Sequence, residues 1–369
     1  MKILIAPDSF KECLTAAQAA EIIFETVETL GHTGVRIPVA DGGEGFAGSL
    51  APYLKAKKVV VKAHDALMRP IEAPCFISDN GTVILEAADT FGLARIEPEK
   101  RNPLLTTSFG MGEQISHALK RGYKNFIIGL GGSATNDCGI GLMQALGFIL
   151  FDKSGNTLPS GAAGKDLKNI TRIIAPEIQM KVTLAVDVTN PLFGEKGAAA
   201  VFAPQKGADS SAVTFLDEGM RTFYHTLENS LGKKIPLRAG LGAAGGAGLP
   251  FYACFDAQME SGIDLILNYS PFDKELQNAD LVITGEGRID AQTTCGKAPA
   301  GVAERSENVP VIAVCGCTGQ GFESVFQVGI KAVYPITPPD TPFEQAKKYA
   351  PEYLRKTIRA LLSEKAWKE

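Results

Sequence analysis

Phe126-Ile-Ile-Gly-Leu-Gly-Gly-Ser-Ala-Thr-Asn-Asp-Cys-Gly-Ile-Gly141 runs from an apolar strand-like segment through a glycine-rich polar turn into a helical pattern (Ile140, Met143, Ala145, Leu146) that stops at Gly147. Strand, small-residue turn and helix start, in that order, are the repeating unit of an α/β sheet, and the turn between them offers backbone N–H groups to an anion. Glycine permits positive φ and close approach of a ligand to the backbone. Ser133, Thr135, Asn136 and Asp137 add polar tips and helix caps. A tight turn between packed elements would explain the glycines alone. The density of polar groups around them favours a phosphate cradle made by Gly131, Gly132, Ser133, Ala134 and Thr135.

Two other phosphate-binding motifs compete with this reading. A P-loop needs G-x-x-x-x-G-K-[ST], but five residues before Gly296-Lys297 stands Ala291 and Ala298 follows, so the lysine-plus-hydroxyl cradle is absent. A dinucleotide fingerprint fits better: Gly129-Leu-Gly131-Gly-Ser-Ala134 matches G-x-G-x-x-[GA]. Asp152, after the apolar run Phe148 to Phe151, stands where a ribose-binding acid is expected. This keeps a NAD-dependent oxidoreductase in view, although Asp152-Lys-Ser-Gly155 also reads as a turn.

Outward from this stretch, the N-terminal half-strand Lys2-Ile-Leu-Ile-Ala6 is apolar on both faces, as in a buried parallel sheet. Thr15-Ala-Ala-Gln18 is a capping box opening a helix with apolar positions Ala19, Ile22, Ile23, Val27 and Leu30. A second strand is expected at Val35 to Val39 and a helix at Gly45 to Leu54. Residues 58 to 90 break the rhythm, with close-set strands at Lys58 to Lys62, Pro74 to Ser78 and Thr82 to Ala87. The last two meet across Asp79-Asn80-Gly81, a hairpin signature. Helical patterns follow at Ser108 to Arg121, Ala212 to Leu231 and Leu249 to Ser261, with a strand at Val182 to Val186. From Ala279 the parallel rhythm resumes, with strands at Leu281 to Thr284, Val309 to Val314 and Ala332 to Tyr334 and a last helix from Phe343. The expected architecture is α/β with two domains. Residues 1–58 plus 280–369 form a flavodoxin- or Rossmann-like parallel-sheet domain, and 59–279 an inserted α/β domain, with the two connections suited to hinge closure around a substrate.

Composition bounds the function. A chain of 369 residues exceeds what one core usually supports, which favours two domains. Net charge −4 and a pI near 5.8, without a basic run or basic helix face, disfavour a nucleic-acid or anionic-membrane partner. No stretch approaches 18 apolar residues, so a cytoplasmic protein is expected. Seven scattered cysteines read as reduced thiols, and four histidines show no metal spacing.

Ligands of open parallel sheets lie beyond the carboxyl ends of the strands, and the chemically active strings occupy those places. These are Asp8-Ser9-Phe-Lys11-Glu12, Asp41-Gly-Gly-Glu44, Glu286-Gly-Arg288-Ile-Asp290 and Asp187-Val-Thr-Asn190. Acids gathered in a cleft repel one another unless Mg²⁺, Lys or Arg offsets them. Together with a phosphate cradle they equip a site for Mg²⁺-dependent phosphoryl transfer.

Pro7-Asp-Ser-Phe-Lys-Glu12, Pro38-Val-Ala-Asp-Gly-Gly-Glu-Gly45, the 129–141 stretch, Asp187-Val-Thr-Asn-Pro191, Pro204-Gln-Lys-Gly207, Gly242-Ala-Ala-Gly-Gly246 and Thr284-Gly-Glu-Gly-Arg-Ile-Asp290 resemble, in order, the motifs of the type-1 glycerate kinase family. The resemblance reaches from Met1 to about Gly316. It implies a two-domain enzyme that phosphorylates D-glycerate with ATP and Mg²⁺ to 2-phosphoglycerate in organic- and sugar-acid breakdown. Cys138 departs from a usual glycine and Phe46 from a frequent threonine.

Residue roles follow from chemistry. Lys11 and Arg288 would hold the substrate carboxylate, with Ser9, Asp41 and Asn190 on its other groups. Glu286 and Asp290 would serve Mg²⁺, directly or through water. Asp187, with Asp8 as alternative, would accept the attacking hydroxyl's proton, so Asp187, Asp8 and Lys11 are the expected catalytic residues. Three readings stay open. The leading one is the kinase, with 3-phosphoglycerate as its other possible product. The others are the oxidoreductase and a non-catalytic ligand-binding protein. Monomer and homodimer are both compatible with the sequence.

Overall fold

The computed structural model describes residues 1–10, 13–294 and 296–364. Its strands are β1 (Lys2–Pro7), β2 (Thr33–Arg36), β3 (Lys57–His64), β4 (Pro70–Ile77), β5 (Thr82–Glu86), β6 (Asn125–Gly129), β7 (Ile149–Phe151), β8 (Arg172–Ile174), β9 (Lys181–Ala185), β10 (Gln258–Glu260), β11 (Leu281–Ile289), β12 (Val311–Thr318) and β13 (Ile330–Pro335). They build a five-stranded sheet in the order β13-β12-β11-β1-β2, a six-stranded sheet in the order β10-β9-β6-β5-β4-β3, and a separate β7-β8 ribbon. The chain divides into two compact units, Met1–Tyr53 with Ser261–Glu369 and Leu54–Glu260.

In the first unit every strand pairing is parallel. Counted along the unit, the strand order is 2-1-3-4-5, the flavodoxin-like doubly wound arrangement, whose ligand crevice lies between the first and third strands. Ile3, Ile5, Ile283 and Ile312 point to one face, where Ile23 of helix Ala16–Thr29 and Leu354 of helix Phe343–Glu364 join them in one buried cluster. The first of these helices starts on the expected capping box: Gln18 N donates to Thr15 Oγ1 (3.2 Å) and Thr15 N to Gln18 Oε1 (2.9 Å).

Residues 261–276 fall in this unit, whereas the sequence pattern placed them in the insert. A Cβ added at Gly301, in helix Ala298–Arg305, would meet Ile263 Cγ2 of helix Gly262–Tyr269 at 2.7 Å, and Arg305 pairs with Asp273 at 2.6 Å. Helical periodicity tells that a face is covered, not which sheet it covers.

Two strand ends shift from expectation in ways that matter for chemistry. β2 ends at Arg36 because Pro38 has no N–H for the ladder. Ile37 N still donates to Ile5 O (2.8 Å) and Val39 N to Pro7 O (3.0 Å), so the segment tracks β1 as far as Val39 and delivers Asp41 beyond it. β11 runs five residues past Thr284, to Ile289. Gly285 makes this possible, since a side chain there would strike the Val314 carbonyl of β12.

The second unit opens with the expected meander. β3, β4 and β5 are antiparallel, with Ser78 N donating to Thr82 O (2.9 Å) across the Asn80-Gly81 turn. β5, β6, β9 and β10 are then parallel neighbours. Leu85, Ile128, Leu184, Met111, Phe223 and Phe251 lie in one continuous core. The helical pattern expected over 249–261 stops at Phe255, where Asp256 takes a left-handed φ of +48° and the chain turns into β10. Among the described residues no helix is long and apolar enough to cross a membrane, and the six described cysteines are free thiols.

Candidate active site

In the first unit, β2's continuation, β1 and β11 deliver three carboxylates to the carboxyl edge of one sheet. Pro7 lies opposite Gly285 and Asp8 N donates to Gly285 O (2.8 Å), so Asp8 leaves β1 beside Glu286 of β11, at the point where the strand order reverses. Ser9 N donates to Asp8 Oδ1 (2.5 Å), and Gly43 N donates to Asp41 Oδ1 (3.1 Å), closing the turn after Val39. Glu286 is buried. Its Oε1 accepts from Thr293 Oγ1 (2.6 Å) and its Oε2 pairs with Lys297 Nζ (3.2 Å). Burial raises its carboxyl above the usual range and Asp41 adds to the rise, while Lys297 and Thr293 oppose it.

The other residues expected at this edge are placed less centrally. Arg288 is exposed and pairs with Asp290 across 3.4 Å. Asp290 also accepts from Gln292 N (2.9 Å), and its own N–H donates to Thr293 Oγ1 (3.1 Å), which makes it the start of the short 3₁₀ helix Ala291–Thr294. Lys11 lies outside the described residues. Both oxygens of Glu286 and of Asp290 are engaged. Among the described residues no group of three His, Cys, Asp or Glu side chains is gathered to hold a metal. With their oxygens already engaged by protein donors, Glu286 and Asp290 fit an ion held through its own waters, as Mg²⁺ commonly is.

In the second unit, Gly129 lies opposite Ala185, so Gly131 and Asp187 leave neighbouring strands β6 and β9 side by side; Asp187 is half-buried. Gly131 is half-buried and Gly132 exposed at φ +71°, so these two keep backbone open to a ligand. The rest of the turn is folded inward. Ala134 N donates to Phe91 O (2.7 Å), and Ala134 O accepts from Thr106 Oγ1 (2.9 Å). Thr135 Oγ1 reaches the Ala244 carbonyl at 3.5 Å.

Asp137 occupies the place foreseen for an anion at the following helix. One oxygen accepts from Ser108 N (2.8 Å), Ser108 Oγ (2.7 Å) and Gly141 N (3.4 Å), and the other from Gly139 N (3.1 Å). Burial lifts its carboxyl above the usual range against these donors. Cys138 adopts a left-handed φ of +49°, a conformation that glycine takes freely and other residues rarely do. The 242–248 segment packs directly on the turn: a side chain at Gly245 would strike the Thr135 carbonyl, and Cys138 N donates to Gly245 O (3.0 Å). Asn190 is committed locally, its Nδ2 donating to Lys196 O (2.9 Å) and its carbonyl accepting from Gly242 N (3.0 Å).

The dinucleotide reading is overturned here. A ribose-binding acid must end the neighbouring parallel strand of the same sheet. Asp152 instead follows β7 of the separate antiparallel ribbon, and its Oδ1 accepts from Ser154 N (2.8 Å) and Asn156 N (2.9 Å) in a tight turn.

A sequence model described as the glycerate kinase family matches residues 3–365. The chain belongs to the glycerate kinase family. Relatives named glycerate kinase from Halalkalibacterium halodurans and Bacillus subtilis are each 42% identical. The former covers 99% of this chain and 98% of its own length, the latter 97% and 96%. Escherichia coli glycerate 2-kinase is 38% identical over 91% of this chain and 90% of its own. A crystal structure of a candidate glycerate kinase 2 from Salmonella typhimurium LT2 superposes with a TM-score of 0.83 at 38% identity, covering 99% of this chain and 98% of that one. The α/β architecture and the kinase activity of this family member follow from these matches.

Sequence reasoning missed two site-edge residues. Lys297 fails the P-loop pattern, yet it is the cation on Glu286. Glu86, buried at the end of β5 opposite Gly129, sits at the same edge as the glycine-rich turn. The signal for Glu86 was an acid closing a fully apolar strand, Val83-Ile-Leu85.

Proposed function

We propose that this glycerate kinase transfers the γ-phosphoryl group of ATP to the 2-hydroxyl of D-glycerate, with Mg²⁺, in the cytoplasmic breakdown of organic acids. The observation that carries this reading is the set of three carboxylates at the switch point of a flavodoxin-like sheet: Asp8 just after β1, Asp41 beyond the continuation of β2 and Glu286 within the extended β11. Free thiols support the cytoplasmic location, and the Escherichia coli relative's name supports the 2-hydroxyl.

In this reading the backbone of Gly131 and Gly132 takes the nucleotide phosphates. Arg288, with Lys11, holds the glycerate carboxylate, since a guanidinium can grip it through two donors. Ser9, Asp41 and Asn190 orient the acceptor's hydroxyls. Asp187 accepts the proton of the attacking hydroxyl, with Asp8 the alternative. When bound, Mg²⁺ neutralises charge on the phosphates, and Glu286 and Asp290 are the acids assigned to it, through water.

An ATP-coupled assay with D-glycerate, followed by phosphorus NMR of the product, tests the proposal. Turnover yielding 2-phosphoglycerate is expected. A 3-phosphoglycerate signal would move the transfer to the other hydroxyl, and absence of turnover would leave the substrate assignment without support.

A further inference from the structure

Lys206 is 2% exposed, in the short 3₁₀ helix Pro204–Lys206 beneath the glycine-rich turn. Its Nζ donates to Ser133 Oγ (3.1 Å) and to the Thr135 carbonyl (2.7 Å). An ammonium has three donors, and among the described residues the third has no partner and no carboxylate stands within ion-pair distance. The nearest acid that acts on it, Asp137, is taken up by Ser108, Gly139 and Gly141. Cys138, the other titratable group of the turn, is a buried thiol whose pKa burial pushes well above its ordinary value, so it stays neutral.

A buried cation without a counter-charge is costly, and an apolar side chain of the same length would fill the space without that desolvation. The same turn holds a second unmet group: Asn136 is fully buried and neither its Oδ1 nor its Nδ2 has a partner. Unsatisfied buried polar groups are rare and call for an explanation such as a ligand the site awaits. Here one anomaly lies in, and the other directly beneath, a turn whose outer edge, half-buried Gly131 and exposed Gly132, keeps backbone open to a ligand.

We propose that Lys206 is a positioning residue for the phosphoryl-bearing ligand of this turn, fixing Ser133 and Thr135 from beneath while its uncompensated positive charge is completed by the ligand's negative charge. The inference rests on the nucleotide reading given above and deepens it. Burial brings the Lys206 ammonium down to about 7, so near neutral pH part of the population is uncharged. An anion arriving at the turn favours the charged form, and binding then draws a proton from solution.

The test is titration calorimetry of Mg²⁺ with a non-hydrolysable ATP analogue at pH 7.5, in buffers of different ionisation enthalpy, alongside steady-state kinetics. The wild type is expected to take up protons on binding. Lys206→Met should lose that uptake and bind roughly 10- to 100-fold more weakly, as for a charge-assisted contact, with KM for ATP moving more than kcat. Its thermal stability should be kept or raised. Lys206→Arg, always charged, should keep most of the affinity but take up no proton, and it serves if the Met variant does not fold. Unchanged affinity in the folded Met variant, or wild-type proton uptake in the Arg variant, would overturn the role of Lys206 while leaving the nucleotide reading intact. A wild type that binds no nucleotide would overturn both.

Discussion

At the scale of single residues, the Glu286–Lys297 pair is the electrostatic centre of the first unit's site. Both groups are largely shielded, their side chains 10% and 25% exposed. Burial raises the folded-state pKa of Glu286 and Lys297 opposes the rise. A carboxyl whose folded pKa lies above its unfolded value contributes stability at low pH, which is lost as pH rises from the ordinary carboxylate range through the raised value. Lys297→Met removes the opposing cation and pushes that window upward. In metal-free buffer the variant's deficit against the wild type should be smallest at the acid end of the range and grow as pH rises. Near pH 8 it should lose on the order of 2 kcal/mol, less than for a fully buried pair because Lys297 is partly solvated. Thermal melts across this pH range check the claim, and a deficit of equal size at both ends would contradict it.

At the scale of elements, the packing of the 242–248 segment on the glycine-rich turn depends on Gly245. It takes φ +63° and leaves no room for a side chain against Thr135. Gly232, at the end of helix Ser210–Leu231, has the same φ but open space around it. Gly232→Ala should therefore cost only the left-handed conformation, roughly 1 kcal/mol. Gly245→Ala adds an overpacking term and should lose roughly 3 kcal/mol. Urea unfolding of the two variants separates conformation from contact, and equal losses would show that the contact is relieved without strain.

The same contrast marks what could be read from the chain. The end of β1 was legible because an apolar run buried on both faces gives way to Asp8; the ends of β2 and β11 were not, since β2 stops at Arg36 well before Asp41 and β11 runs on past Glu286 to Ile289. Nor were through-space partners. Lys206 sits 71 residues from the carbonyl it holds, and no period or spacing encodes that. Asp137 resembled a polar tip for a ligand, and its use as a built-in anion depends on Ser108, 29 residues away. The segment at 249–261 kept helical spacing to its end, yet a left-handed Asp256 turns it into a strand.

At the scale of the whole molecule, the two units differ in how the chain closes them. The Leu54–Glu260 unit holds all six strands of its sheet and its own core, entering at edge strand β3 and leaving at the opposite edge strand β10. At a strand spacing of roughly 4.8 Å those two edges stand about 24 Å apart. The first unit is built from both chain ends, and β1 lies between β2 and β11, so the first 53 residues carry only two of its five strands. A two-stranded piece has too little apolar surface to hold itself. The fragment Leu54–Glu260 should therefore fold alone, with one cooperative thermal transition and near-ultraviolet circular dichroism from a fixed core. A chain ending at Glu260 should show that same transition while its first 53 residues are cut rapidly by protease. If Leu54–Glu260 melts without cooperativity, the insert draws its stability from the other unit, and the division into two self-sufficient cores is wrong.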